Sequence, residues 1–124
     1  MTVIKIKAEI HPTEDPEKVT QAITNLFGKI QLNYDHEQNI ITGKIDEINQ
    51  LIDLRGRIAQ DRIRTTIENT LTRWTDEDYL SFGLNRQAAY AGHVSLNLAN
   101  EDPMGPIQLQ IRGDIEQVIQ FLCH

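Results

Sequence analysis

The chain has 124 residues, 40% hydrophobic and 24% charged, with a formal charge of −6. One domain fits that length, and a chain of this size buries roughly two thirds of its unfolded surface, so it needs no disulfide or metal staple. The acidic balance argues against broad, nonspecific nucleic-acid binding, which depends on neutralising phosphates.

The chain opens on a strand. In "VIKIKAEI", Ile4, Ile6, Ala8 and Ile10 share one face and Lys5, Lys7 and Glu9 the other. The lysines stand inside the apolar run rather than ahead of it, which does not read as a signal peptide. A helix follows: Asp15 caps it, Pro16 fits its first position, Val19, Ile23, Leu26 and Phe27 recur at helical spacing, and Gly28 stops it. "IQLNYD" and "IITGKI" read as a hairpin across the polar turn "DHEQN". "DEINQLIDL" is a short helix with Ile48, Leu51 and Ile52 inward, and Gly56 breaks or bends the chain after it. The spacing then predicts one long helix, "RIAQDRIRTTIENTLTRW", with Ile58, Ile63, Ile67, Leu71 and Trp74 near one stripe.

Three more strands are expected. "YLSFGL" turns Leu80, Phe82 and Leu84 inward, "HVSLNL" turns Val94, Leu96 and Leu98 inward, and "IQLQIR" turns Ile107, Leu109 and Ile111 inward. "EDPMGP" is a turn, and a last helix capped by Asp114 carries Ile115, Val118, Ile119 and Leu122 on its apolar face. Residues 1–124 therefore form a single α+β domain in the order β-α-β-β-α-α-β-(short α)-β-β-α. Its architecture is a two-layer sandwich: about six strands, mostly antiparallel or mixed, with helices on one face of the sheet.

Two stretches offer chemistry. In "LNRQAAYAGHV", Asn85 is a helix cap and Gly92 a stop, so residues 86–91 form one or two helical turns that the alanines let lie close to the sheet. Arg86 and Gln87 stand at the start of that turn, where free N–H groups favour an anion, and His93 follows it. The plainer reading is a compact corner with a solvated arginine. The second stretch, residues 55–73, holds Arg55, Arg57, Arg62, Arg64 and Arg73 against Asp61 and Glu68, a local balance of +3. Seven-residue spacing puts Arg55 with Arg62, and Arg57 with Arg64, on one side of a helix. These side chains suit a nucleic-acid backbone; the plainer reading is a solvated helix face.

Other candidates are weaker. His11, Glu14, Asp15 and Glu17 match no metal-ligand spacing, and acids at a helix start already have a structural role. A metal-dependent nuclease would have only His11, Glu14 and His93 to work with. No Gly-rich phosphate loop or nucleophile elbow is present, so neither a cofactor nor a catalytic residue is expected. The lone Cys123 excludes an internal disulfide and suits a reducing cytoplasm. No apolar run approaches the roughly 20 residues of a membrane span. The polar face of the sheet presents Lys5, Lys7, Glu9, Gln31, Asn33, Ser81, Ser95, Asn97, Gln108, Gln110 and Arg112, with no aromatic residue for stacking bases.

Three stretches together carry a family resemblance: "HPTEDPEKV" with "NLF", "RIAQDRIRTTI", and "LNRQAAYAGHV" with "EDPMGPI". In this order and spacing they resemble an archaeal family of uncharacterised proteins grouped among predicted RNA-binding proteins. The resemblance implies a fold similar to the L-five type of large-subunit ribosomal protein, and association with RNA or an RNA-processing complex such as the exosome. In that family a lysine is commoner than Arg86 and often stands at His93. The leading expectation is a non-enzymatic, cytoplasmic, RNA-associated protein that contacts phosphates through Arg57, Arg62, Arg64, Arg86, Gln87 and His93. It requires the four arginines to share one surface. The alternative is a protein–protein adaptor or homodimeric module, motivated by the net charge and the amide-rich sheet face.

Overall fold

The computed structural model describes residues 2–97 and 105–124. Its elements are β1 (Val3–Glu9), α1 (Pro16–Phe27), β2 (Leu32–Asp35), β3 (Ile40–Ile45), a 3-10 turn (Ile48–Leu51), α2 (Ile52–Gln60), α3 (Arg64–Trp74), β4 (Tyr79–Leu84), α4 (Arg86–Tyr90), β5 (Ile107–Arg112) and α5 (Ile115–Cys123). The strands form one sheet in the order β2-β3-β1-β5-β4, every neighbouring pair antiparallel. Alternation in the strands places Ile4, Ile6, Ala8, Ile41, Ile45, Leu80, Phe82, Leu84, Ile107, Leu109 and Ile111 in the core. The helices close over that face with Val19, Ile23, Leu26, Phe27, Leu54, Ile58, Leu71, Val118 and Leu122, and the opposite face of the sheet stays open. No helix among the described residues is long and apolar enough to cross a membrane.

The α+β class, the two layers and the element order match the reading of the sequence. The sixth expected strand is reduced to a bridge: Leu96 pairs with Leu84, Asn85 N–H donates to Ser95 O, and Asn97 N–H donates to Gly83 O along the edge of β4. Leu98 and residues 101–104 of the expected turn lie outside the described residues.

The expected long helix is two helices. Gly56 lies within α2, and the break falls at 61–63. There Arg62 N–H donates to Ala59 O and Ile63 N–H donates to Ile58 O, while Arg62 takes a left-handed φ of 58°. That pair of bonds is a Schellman termination, with an arginine at the position where glycine is usual. Two buried or half-buried isoleucines, Ile58 and Ile63, bracket it. The seven-residue pairing of Arg55 with Arg62 and of Arg57 with Arg64 therefore fails, because no single helix carries both members of either pair.

Helix α1 is built as its sequence dictates. The Asp15 carboxylate accepts from Glu17 N–H at 2.9 Å, and Gly28 N–H donates to Thr24 O at 2.8 Å. Gly28 has φ 73° and ψ −159°, a conformation essentially reserved for glycine. A Cβ there would also lie 2.0 Å from Asp53 Oδ2. Gly28→Ala is expected to cost about 1–3 kcal/mol, mostly backbone strain since the Asp53 side chain can swing away; urea denaturation of the two proteins measures it.

Candidate nucleic-acid interface

Helix α4 forms where "LNRQAAYAGHV" predicts it. Asn85 caps it, its side chain accepting from Ala88 N–H at 2.9 Å. Arg86 does not point outward at an anion. It is 5% exposed, and its Nη1 lies 2.8 Å from both carboxylate oxygens of Glu14, itself 11% exposed. The same guanidinium donates to Glu9 O at 2.8 Å, to Gly105 O at 2.9 Å and to Pro106 O at 3.4 Å. Arg86 is thus a buried structural cation and is withdrawn from the expected phosphate contacts. The partner that captures it, Glu14, stands 72 residues away in sequence. Gln87 remains exposed at the start of α4.

The rest of the corner meets the α2–α3 elbow through Asp61. Its Oδ2 accepts from Val94 N–H at 2.9 Å, and its Oδ1 lies 3.0 Å from His93 Nδ1. The Val94 N–H holds the Asp61 carboxyl below the ordinary carboxylate range, with His93 and then Arg57 acting in the same direction. Arg57 donates from Nε to Asn25 O at 3.2 Å, and its Nη1 lies 3.1 Å from where a Cβ on Gly92 would stand. Gly92 thus gives the guanidinium room against the backbone, and its φ of 86° favours glycine independently. Asn25 ties the same corner to α1 by donating to Ala89 O and Tyr90 O.

Arg57, Asp61 and His93 are therefore one cluster, with exposed Arg62 next in the chain. Arg64 belongs elsewhere. It acts electrostatically on Cys123, whose thiol is pushed up to about 11 by burial first and then by Glu68, with Arg64 opposing. Arg55 donates to His124 O at 3.0 Å and lies over the Phe121 ring, and His124 pairs with Glu68 at 2.9 Å. The four arginines expected on one surface divide into three environments. Arg62 and Arg64 are exposed, and the side chain of neither makes a hydrogen bond or ion pair among the described residues.

The open face of the sheet also holds Thr42, Asp35, Lys44 and Tyr79. Lys44 lies directly opposite Lys5. Tyr79 lies opposite Arg112, whose guanidinium sits 4.6 Å from the ring centroid, so the face does carry one aromatic residue. Strict alternation in "IITGKI" and "YLSFGL" was the available signal for both. Glu14, once a metal candidate, is the counter-ion of Arg86, and among the described residues no three His, Cys, Asp or Glu side chains gather around a metal-sized site.

The Asp61 clamp has a pH signature. Its lowered folded pKa means that its contribution is complete above the unfolded value of about 3.9 and is lost as pH falls through the folded value. Asp61→Asn is expected to melt lower at neutral pH and to show a shallower loss of melting temperature below about pH 4. Calorimetry across that range checks both.

The comparisons with known proteins converge. A family model described as RNA binding matches residues 3–113. A UPF0201 protein of Thermococcus onnurineus is 36% identical, covering 97% of this chain and 90% of its own. One from Methanosarcina acetivorans is 35% identical, covering 98% of this chain and 82% of its own. The crystal structure of a UPF0201 protein from Methanococcus jannaschii matches with a TM-score of 0.83 at 30% identity, over 100% of both chains. With the two-layer fold shared end to end and the RNA-binding model spanning nearly every element, this chain belongs to the archaeal UPF0201 family.

Proposed function

We propose that the protein is a non-enzymatic RNA-associated protein, and that Arg57, Arg62 and His93, at the elbow and corner joined by Asp61, meet RNA phosphates with Gln87 at the rim. The RNA-binding description of the family model supports the partner class. The observation that carries the surface is Arg62. It occupies a left-handed position where glycine terminates helices most readily, and it points an unpaired guanidinium outward from there. A side chain there costs about 1–2 kcal/mol of backbone strain, offset in part by the entropy a glycine would lose. Asn39 and Glu77 share this backbone conformation, but among the described residues only at Arg62 does it present a cation, and that cation stands beside Arg57 and His93. Phosphate contacts position a protein on RNA without reading sequence, which suits two guanidiniums and an imidazole with no Phe, Tyr or Trp among them.

Arg62→Gly separates folding from binding. The variant is expected to melt at or above the wild-type temperature. Its affinity for a labelled single-stranded RNA should fall several-fold, and its salt dependence should weaken by about one phosphate contact. Fluorescence anisotropy across a salt series measures this. Unchanged affinity in the variant, or no wild-type binding at low salt, would sink the proposal.

A further inference from the structure

The open face of the sheet gathers three lysines against few carboxylates. Lys5 of β1 stands in register with Lys44 of β3 on one side and Gln110 of β5 on the other. Lys7 stands between Thr42 and Gln108. All three lysines are exposed, and no carboxylate stands directly across the ladder from Lys5 or Lys7. Like charges directly opposite across an antiparallel pair destabilise a sheet. Lys44 has one acidic partner, Asp46 at 3.7 Å, but both side chains are more than half exposed, so the pair offsets little. Of the other acids of this face, Glu9 follows Lys7 by two residues on β1, and Asp35, opposite Ile40, is engaged by the N–H groups of Glu37 and Gln38. The lysines line a shallow open depression with Asn33, Thr42 and Gln110, and Asp46 is its one carboxylate, leaving three cations to one anion.

We propose that this depression is a docking surface for the phosphate backbone of single-stranded RNA, with Lys5, Lys7 and Lys44 as its phosphate contacts. The inference rests on the RNA-binding reading above and adds a second surface to it, because the elbow lies in the helical layer and this face is the opposite one. Charge complementarity selects the occupant. A polyanion relieves the Lys5–Lys44 repulsion, and the amides and hydroxyl of Asn33, Gln110 and Thr42 supply hydrogen bonds to phosphate and ribose. A second copy of the chain, face to face, would bring the lysines toward each other. The one aromatic residue here, Tyr79, lies under Arg112, so backbone contacts outweigh base stacking.

The test is binding of a labelled oligouridylate of about twelve nucleotides to wild type, to Lys5→Gln/Lys7→Gln/Lys44→Gln and to Arg62→Gly, from about 50 mM salt upward. Removing the lysines is expected to weaken binding at least about tenfold and to lower the log–log salt slope by about 2, near 0.7 per phosphate contact. The same variant should melt no lower than wild type at low salt, since a like-charge pair has been removed. If the triple variant fails to fold, Lys44→Gln alone carries the comparison with a proportionally smaller slope change. Unchanged binding in the lysine variant with weakened binding in Arg62→Gly overturns this surface and leaves the elbow reading standing. No wild-type binding overturns both. Competition by polyglutamate as effective as by RNA would assign the face to an acidic protein and overturn the RNA assignment.

Discussion

The structure depends on one buried ion pair. Arg86 begins α4, yet its guanidinium reaches the carbonyl that ends β1, the Glu14 carboxylate ahead of α1, and the carbonyls of Gly105 and Pro106 ahead of β5. A buried cation is tolerated only when paired and hydrogen-bonded, and removing one partner typically costs about 3–5 kcal/mol. The guanidinium suits this place where an ammonium would not, because its planar fork serves a carboxylate and several carbonyls at once. Through it the β4–α4 corner, the β1–α1 connection and the approach to β5 are held in one register. The corner that carries Gln87 and His93 is stiff for that reason, and Asp61 can clamp His93 and Val94 only because the corner is already placed.

Two other features run against stability. Arg62 holds a left-handed backbone conformation at a helix terminus, and Lys5 faces Lys44 across the ladder. Each is locally unfavourable, each is exposed, and each presents a cation. A fold selected for stability alone would place glycine at the first position and a carboxylate opposite one of the lysines. The close-packed core behind them supplies the margin that tolerates both.

The sequence made legible whatever a local signal encodes. Asp15, Pro16 and Gly28 mark the ends of α1, and alternation separates the two faces of every strand. The α2–α3 break was illegible because its signal residue is absent: the Schellman turn is formed by Arg62, and the one nearby glycine, Gly56, stays helical. The burial of Arg86 was illegible because its partner is distant in the chain; an arginine at a helix start reads alike whether it faces water or a carboxylate 72 residues away. The opposition of Lys5 and Lys44 needed strand register. Alternation gives the face of each lysine but not its neighbour across the ladder. In "LNRQAA" the helical corner is legible from its Asn85 cap, while the role of its arginine is set by packing alone.

The net charge constrains how such a protein would engage RNA. At a formal charge of −6 the whole molecule repels a polyanion at long range, so steering cannot drive association. At physiological ionic strength the Debye length is about 8 Å, and beyond that distance the remaining acids are largely screened. Within it, the local cations act: Arg57 and Arg62 at the elbow, and Lys5, Lys7 and Lys44 on the sheet. Encounters would be slow and unassisted, and retention would depend on how many of these groups a strand meets at once. That arrangement disfavours indiscriminate binding to any nucleic acid and rewards an RNA whose shape presents phosphates to a fixed set of positions, which a rigid corner and a rigid sheet both provide.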